Sequence, residues 1–191
     1  MSGDRDDEND RATRRAVERT RAWLEHAVIG LNLCPFAKAP HAKGQIRCVA
    51  TPTDDPRVLL ELLCDEIRRL VDVDPAQCET TLLIHPNVLV DFDDYNDFLG
   101  AAEAALNDLG ADGVLQIASF HPAYRFDGAQ ADDIANATNR SPHPMLHLLR
   151  EASVDRAVDA FPDASSIYER NIATLDALGA AGWERLSERW R

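Results

Sequence analysis

Residues 119–150 read SFHPAYRFDGAQADDIANATNRSPHPMLHLLR. How this stretch divides decides the fold. Its first two residues close the run VLQIASF at 114–120, which is apolar on both parities apart from Gln116 and Ser119 and so reads as a central strand buried on both faces. A polar loop rich in His, Arg, Asn and Asp follows, and regular structure resumes behind Pro142 and Pro144. Met145 to Glu151 reads as a short helix, and Ser153 to Phe161 as a second helix or its continuation, with Ser153 placed to cap it. A loop fixed at both ends by regular elements holds polar groups in defined positions, so a site is expected here.

Upstream of that stretch, Asp93 and Asp94 are suited to cap a helix with an apolar stripe of Phe98, Leu99, Ala102, Ala105, Leu106 and Leu109, closed by Gly110. Thr80 to Ile84 is rich in strand formers and ends at His85-Pro86-Asn87, after which Val88 to Phe92 alternates as a partner strand would. Asp54 or Asp55, followed by Pro56, starts a helix that runs to about Asp72 with Leu59, Leu62, Leu63, Ile67 and Leu70 facing a sheet. Ile46 to Ala50 is a short strand. From Arg11 to Leu31 apolar residues recur every three or four positions, predicting an amphipathic helix capped by Asn9 or Asp10. A last helix spans about Ser165 to Leu178 and stops at Gly179. The order strand, helix, strand, strand, helix, strand predicts an α+β fold: a small antiparallel sheet of about four strands, ferredoxin-like with a split β-α-β unit, with extra N-terminal and C-terminal helices.

The chain has 191 residues, which suits one core. Residues 1–10, MSGDRDDEND, carry five acids and one Arg with nothing to bury, so they are expected as a disordered acidic tail ahead of a single domain at 11–191. The net charge is -13 and no basic run stands apart from acids, so a phosphate backbone is repelled and nucleic acid is not an expected partner. There is no long apolar run and no basic, apolar leader, so the expectation is a cytoplasmic protein without a membrane span. Cys34, Cys48, Cys64 and Cys78 form no C-x-x-C pair and are expected as thiols. Trp183, Leu186 and Trp190 cover either the chain's own core or a second copy in a homodimer.

His121 directly follows the 114–120 strand. Its unperturbed pKa of about 6.5 suits an acid or base, although a His there also fixes the turn at Pro122. Asn139, Arg140 and Ser141 precede the two prolines, where a helix start attracts an anion and Arg140 offers a bidentate donor; alternatively they cap and lock the loop. Arg125 and Asn136 from the same loop, and His85 and Asn32 from neighbouring turns, complete the candidate ligand contacts. Cys34, in GLNLCPFAKAP, is the candidate catalytic thiol: raised in pKa if it closes the first helix, activated if Pro35 begins a new turn. His143 and His147 have the spacing of a helical metal pair but lack the H-E-x-x-H glutamate, and no metal ligand is assigned. The expected function is a small-molecule enzyme or ligand-binding protein acting on an anionic carboxylate or phosphate metabolite, with no cofactor named. The alternatives are a non-catalytic binding or regulatory module and a His-based metal protein.

Three pieces together, GLNLCPFA at 30–37, SFHPAYRF at 119–126 and NATNRSPHPMLHLLREAS at 136–153, resemble a family of uncharacterised bacterial and plant proteins, the domain of unknown function family numbered 1415. The resemblance spans about residues 14 to 180 and implies no reaction. Tyr often stands in that family where this chain has His143, so it implies no essential role for His143.

Overall fold

The computed structural model describes residues 2–159 and 165–191. Helix α1 (Ser2–Trp23) passes into a π-helical turn at Leu24–Ile29, and a short α2 (Lys38–Ala42) leads to β1 (Ile46–Ala50). Then come α3 (Pro56–Asp72), β2 (Thr80–Ile84), α4 (Phe92–Asp108), β3 (Leu115–Phe120), a 3-10 turn at Ile134–Thr138, β4 (Met145–Arg150), α5 (Glu151–Asp159), α6 (Ser165–Ser187) and a final 3-10 turn at Glu188–Trp190.

Local chemistry accounts for the two crossover helices. The Asp55 carboxylate accepts the Arg57 N–H at 2.8 Å with Pro56 in the first turn, which satisfies one of the free donors at the start of α3. Asp55→Ala is expected to cost about 1 kcal/mol, read as a lowered midpoint in urea at unchanged slope. Helix α4 is capped by Asp91, which accepts from the N–H groups of Asp93 and Asp94, rather than by Asp93 or Asp94 themselves. Beyond its end Gly110 turns the chain at φ 66, a conformation free of penalty only without a Cβ.

The sheet order is β1-β2-β4-β3. Strands β1 and β2 pair in parallel, and β4 pairs antiparallel with both β2 and β3. The fold is therefore α+β, but the sheet is mixed: β1, β2 and β3 run one way and β4 alone runs back. The split β-α-β unit exists as β2-α4-β3 with β4 inserted between its strands.

Three expectations change. The segment read as a helix from Met145 is β4: six mostly apolar residues have no period that separates strand from buried helix, and here neighbours on both sides supply a hydrogen-bond ladder. That insertion moves β3 to the edge, where only Leu115 is fully buried. Val88 to Phe92 forms no strand, because Leu89 takes φ 55 and the chain turns straight into the Asp91 cap. Helix α1 starts at Ser2, and residues 7–12 are exposed. Ala160 and Phe161, read as helical, lie outside the described residues.

One apolar cluster lies between the sheet and α3/α4, built on Leu59, Leu63, Ile67, Leu83, Tyr95, Leu146 and Leu148. Arg47 ties β1 to α3 through paired bonds of 2.8 and 2.9 Å to Glu66. A second cluster lies under α1, with Trp23, Ala27, Leu82, Ile84 and Met145. Helix α6 continues past its kink at Gly179, and Trp183, Leu186 and Trp190 pack on this second cluster, so they cover the chain's own core. Among the described residues no helix is long and apolar enough to cross a membrane.

Candidate functional site

Each of the three parallel strands ends in a polar residue followed by proline: Thr51-Pro52, His85-Pro86 and His121-Pro122. Proline has no N–H to give the ladder, so pairing stops there. Ala50 pairs with Ile84, Ile84 with Met145 and Phe120 with Met145, so the next row across the sheet is Thr51, His85, Pro144 and His121. This row shares the face of Leu83 and Leu146, two residues away, and therefore lies toward α4. All three polar residues are buried. In layered α/β structures ligands gather outside the carboxyl ends of parallel strands.

Tyr95 of α4 fills the space between the two histidines, stacked on His85 at 5.9 Å between ring centroids and tilted against His121 at 5.1 Å. Its hydroxyl donates to the Met145 carbonyl at 2.8 Å and accepts the Phe120 N–H at 3.0 Å. Hydrogen-bond partners assign the histidine tautomers. His121 Nδ1 accepts the Ala123 N–H at 3.0 Å, so its proton sits on Nε2 and is donated to the Leu89 carbonyl at 3.2 Å. His85 donates from Nδ1 to the Val88 carbonyl at 2.9 Å, and its buried Nε2 has no partner among the described residues. Burial, reinforced by the neighbouring His121, holds His85 at about 4, and burial also lowers His121. Both rings are thus neutral donors near pH 7, pinning the loop at 88–89 from inside.

The 121–143 loop is held by its own polar side chains. Arg140 donates from Nε to the Tyr124 carbonyl at 3.2 Å and from Nη2 to the Ala131 carbonyl at 2.5 Å. Asn139 donates to the Ser119 carbonyl at 3.0 Å. Buried Asn136 donates to the Gln130 carbonyl at 2.8 Å and accepts the Phe126 N–H at 3.0 Å. Ser141 donates to the His143 carbonyl at 2.7 Å. Arg125 is half-exposed, its guanidinium 3.6 Å from the Asp93 carboxylate. Of the sequence-predicted residues, then, His85 and His121 come together, while Asn136, Asn139, Arg140 and Ser141 build the loop behind them.

Cys34 and Asn32 lie elsewhere, in the turn after the π-helical segment. Cys34 packs with the cluster under α1, across the sheet from the His pair, and burial pushes its thiol up, away from the reactive thiolate. Asn32 is exposed at φ 55. His143 and His147 are not a helical pair: His147 is on β4 and His143 just precedes it, so at about 3.3 Å per residue they stand roughly 13 Å apart, too far to share an ion. No group of three His, Cys, Asp or Glu placed to hold a metal ion exists among the described residues.

On the outer side of the loop that the histidines pin lies an open groove of about 600 Å³. Val88, Leu89, Val90 and Phe98 form its apolar floor and wall, and Asp54, Asp91, Asp94 and Asp97 its rim. Leu89, at φ 55, holds a conformation that side chains other than Gly seldom adopt, and its carbonyl receives the His121 bond. Sequence reasoning missed this groove because its acids read as helix caps. The signal was an excess: DFDDYND at 91–97 holds four Asp, and the start of α4 uses only one as its cap. Asp93 pairs with Arg125 and Asp55 with Arg57, whereas among the described residues no ion pair reaches Asp54, Asp91, Asp94 or Asp97.

The family model described as "Protein of unknown function (DUF1415)" matches residues 15–185. No curated protein and no solved structure matches the chain.

Proposed function

For a chain that belongs to the DUF1415 family, whose description assigns no reaction, we propose a non-catalytic binding module that takes a positively charged partner in the groove at the carboxyl edge of β1 and β2. One observation carries this reading. His121, the residue suited to acid–base chemistry, and His85 donate their N–H groups to the backbone of the groove loop, while among the described residues no ion pair reaches Asp54, Asp91, Asp94 or Asp97 on its outer side. An imidazole with both nitrogens engaged, as in His121, moves no proton without releasing the loop. Several unneutralised carboxylates around a low-dielectric floor focus a negative potential, which attracts a cation and repels an anion.

The anionic-metabolite reading keeps one observation in its favour, the half-exposed Arg125 guanidinium beside Tyr124 at the loop surface. A titration followed by amide NMR separates the two. Butylammonium is expected to shift amides at 87–98 with an effect that weakens in salt, and succinate to leave them unmoved. Shifts confined to 121–131 with succinate, and none with the amine, would move the function to Arg125.

A further inference from the structure

We infer that the occupant of this groove is a segment of another protein in which an apolar side chain is flanked by Lys or Arg; this rests on the binding-module reading above. A small amine would neutralise the rim but leave the floor wet. Val90, which lines the groove, is 62 % exposed, so an apolar surface stands open beside the acids. Asp94 and Asp97 are three residues apart on α4 and so share a face, and Asp54 lies on the segment entering α3. Positive charges on both sides of an apolar anchor match that rim and floor together. Nucleic acid carries the same negative sign as the rim, and an anionic bilayer is repelled by a chain of net charge -13. The floor is rigid enough to recognise shape, since His85 and His121 bond its carbonyls at Val88 and Leu89.

Fluorescence anisotropy with a dye-labelled Lys-Lys-Leu-Phe-Lys-Lys peptide tests this. The peptide is expected to bind, and its relatives with Ser-Ser at the centre or Glu in place of Lys to bind at least tenfold more weakly. Val90→Ser, and separately the pair Asp94→Asn and Asp97→Asn, change exposed side chains and are expected to weaken binding about tenfold with unchanged circular dichroism. Equal binding of the Ser-Ser peptide, or no effect of Val90→Ser, would overturn the peptide inference while the reading of an acidic, cation-binding groove stands. If neither the peptides nor butylammonium bind, both fail.

Discussion

Between pH 6.5 and pH 4 the folded state is expected to lose stability, on the order of 3 kcal/mol from His85 alone. His85 is fully buried and burial holds its folded pKa at about 4, whereas in the unfolded chain it titrates near 6.5. Within that window the unfolded state binds the proton and the folded state refuses it, so stability rises with pH. The contribution is complete above about 6.5 and is lost as pH falls through the window to the folded value. His143 and His147, also held at about 4 by burial, act in the same direction. The competing effect has the opposite sign: a net charge of -13 shrinks as carboxylates protonate, which relieves self-repulsion. Urea unfolding at pH 7, 5.5 and 4.5 decides which wins. A steep fall in midpoint, flattened in His85→Gln, is the expected result, and a midpoint that holds or rises with acid would refute the assignment of His85 as buried and neutral.

The elements legible in the sequence are those whose signals are local. A helix start such as Asp55-Pro56 and an apolar stripe such as Leu59, Leu63 and Ile67 carry their own period and cap, and the structure places α3 where they put it. Strand β4 carries no such mark. MLHLLR is apolar enough for either element, and what makes it a strand is the unpaired edges of β2 and β3 on both sides, brought there by a loop of about two dozen residues. The 121–143 loop stands out in the sequence for its Arg, Asn and His, which identify chemistry but not partners. A long irregular segment against a core must satisfy its backbone carbonyls, and Arg140, Asn139 and Asn136 do that. The recurring Thr-Pro or His-Pro after each parallel strand was in plain view at 51, 85 and 121, yet it acquires meaning only once the three strands are known to run parallel.

Tyr95→Phe is expected to destabilise the chain by about 2–4 kcal/mol, a large effect for the loss of one oxygen atom. The Tyr95 ring is fully buried, and its hydroxyl bridges the Phe120 N–H at the end of β3 and the Met145 carbonyl at the start of β4. Removing it takes a hydrogen bond from a backbone donor and a backbone acceptor at the joined ends of β3 and β4. Each such loss at a buried or part-buried backbone group costs roughly 1–3 kcal/mol, whereas deleting the interaction with both partners in water would cost little. Burial also pushes the phenol up, so it remains a donor across the working pH range and the effect should not vary with pH. Phe92→Leu serves as the comparison: it removes the ring contacts to Tyr95 and His121 without orphaning a backbone group, and is expected to cost less. For a chain of this length Tyr95→Phe corresponds to a thermal midpoint roughly 10 °C lower. Because the same phenol separates His85 from His121, the variant should also loosen the 88–89 loop they pin, seen as faster amide exchange at 87–91 than Phe92→Leu produces. Unchanged stability would mean that the hydroxyl does not lock β3 to β4, and equal exchange in the two variants would mean that the groove loop is held without it.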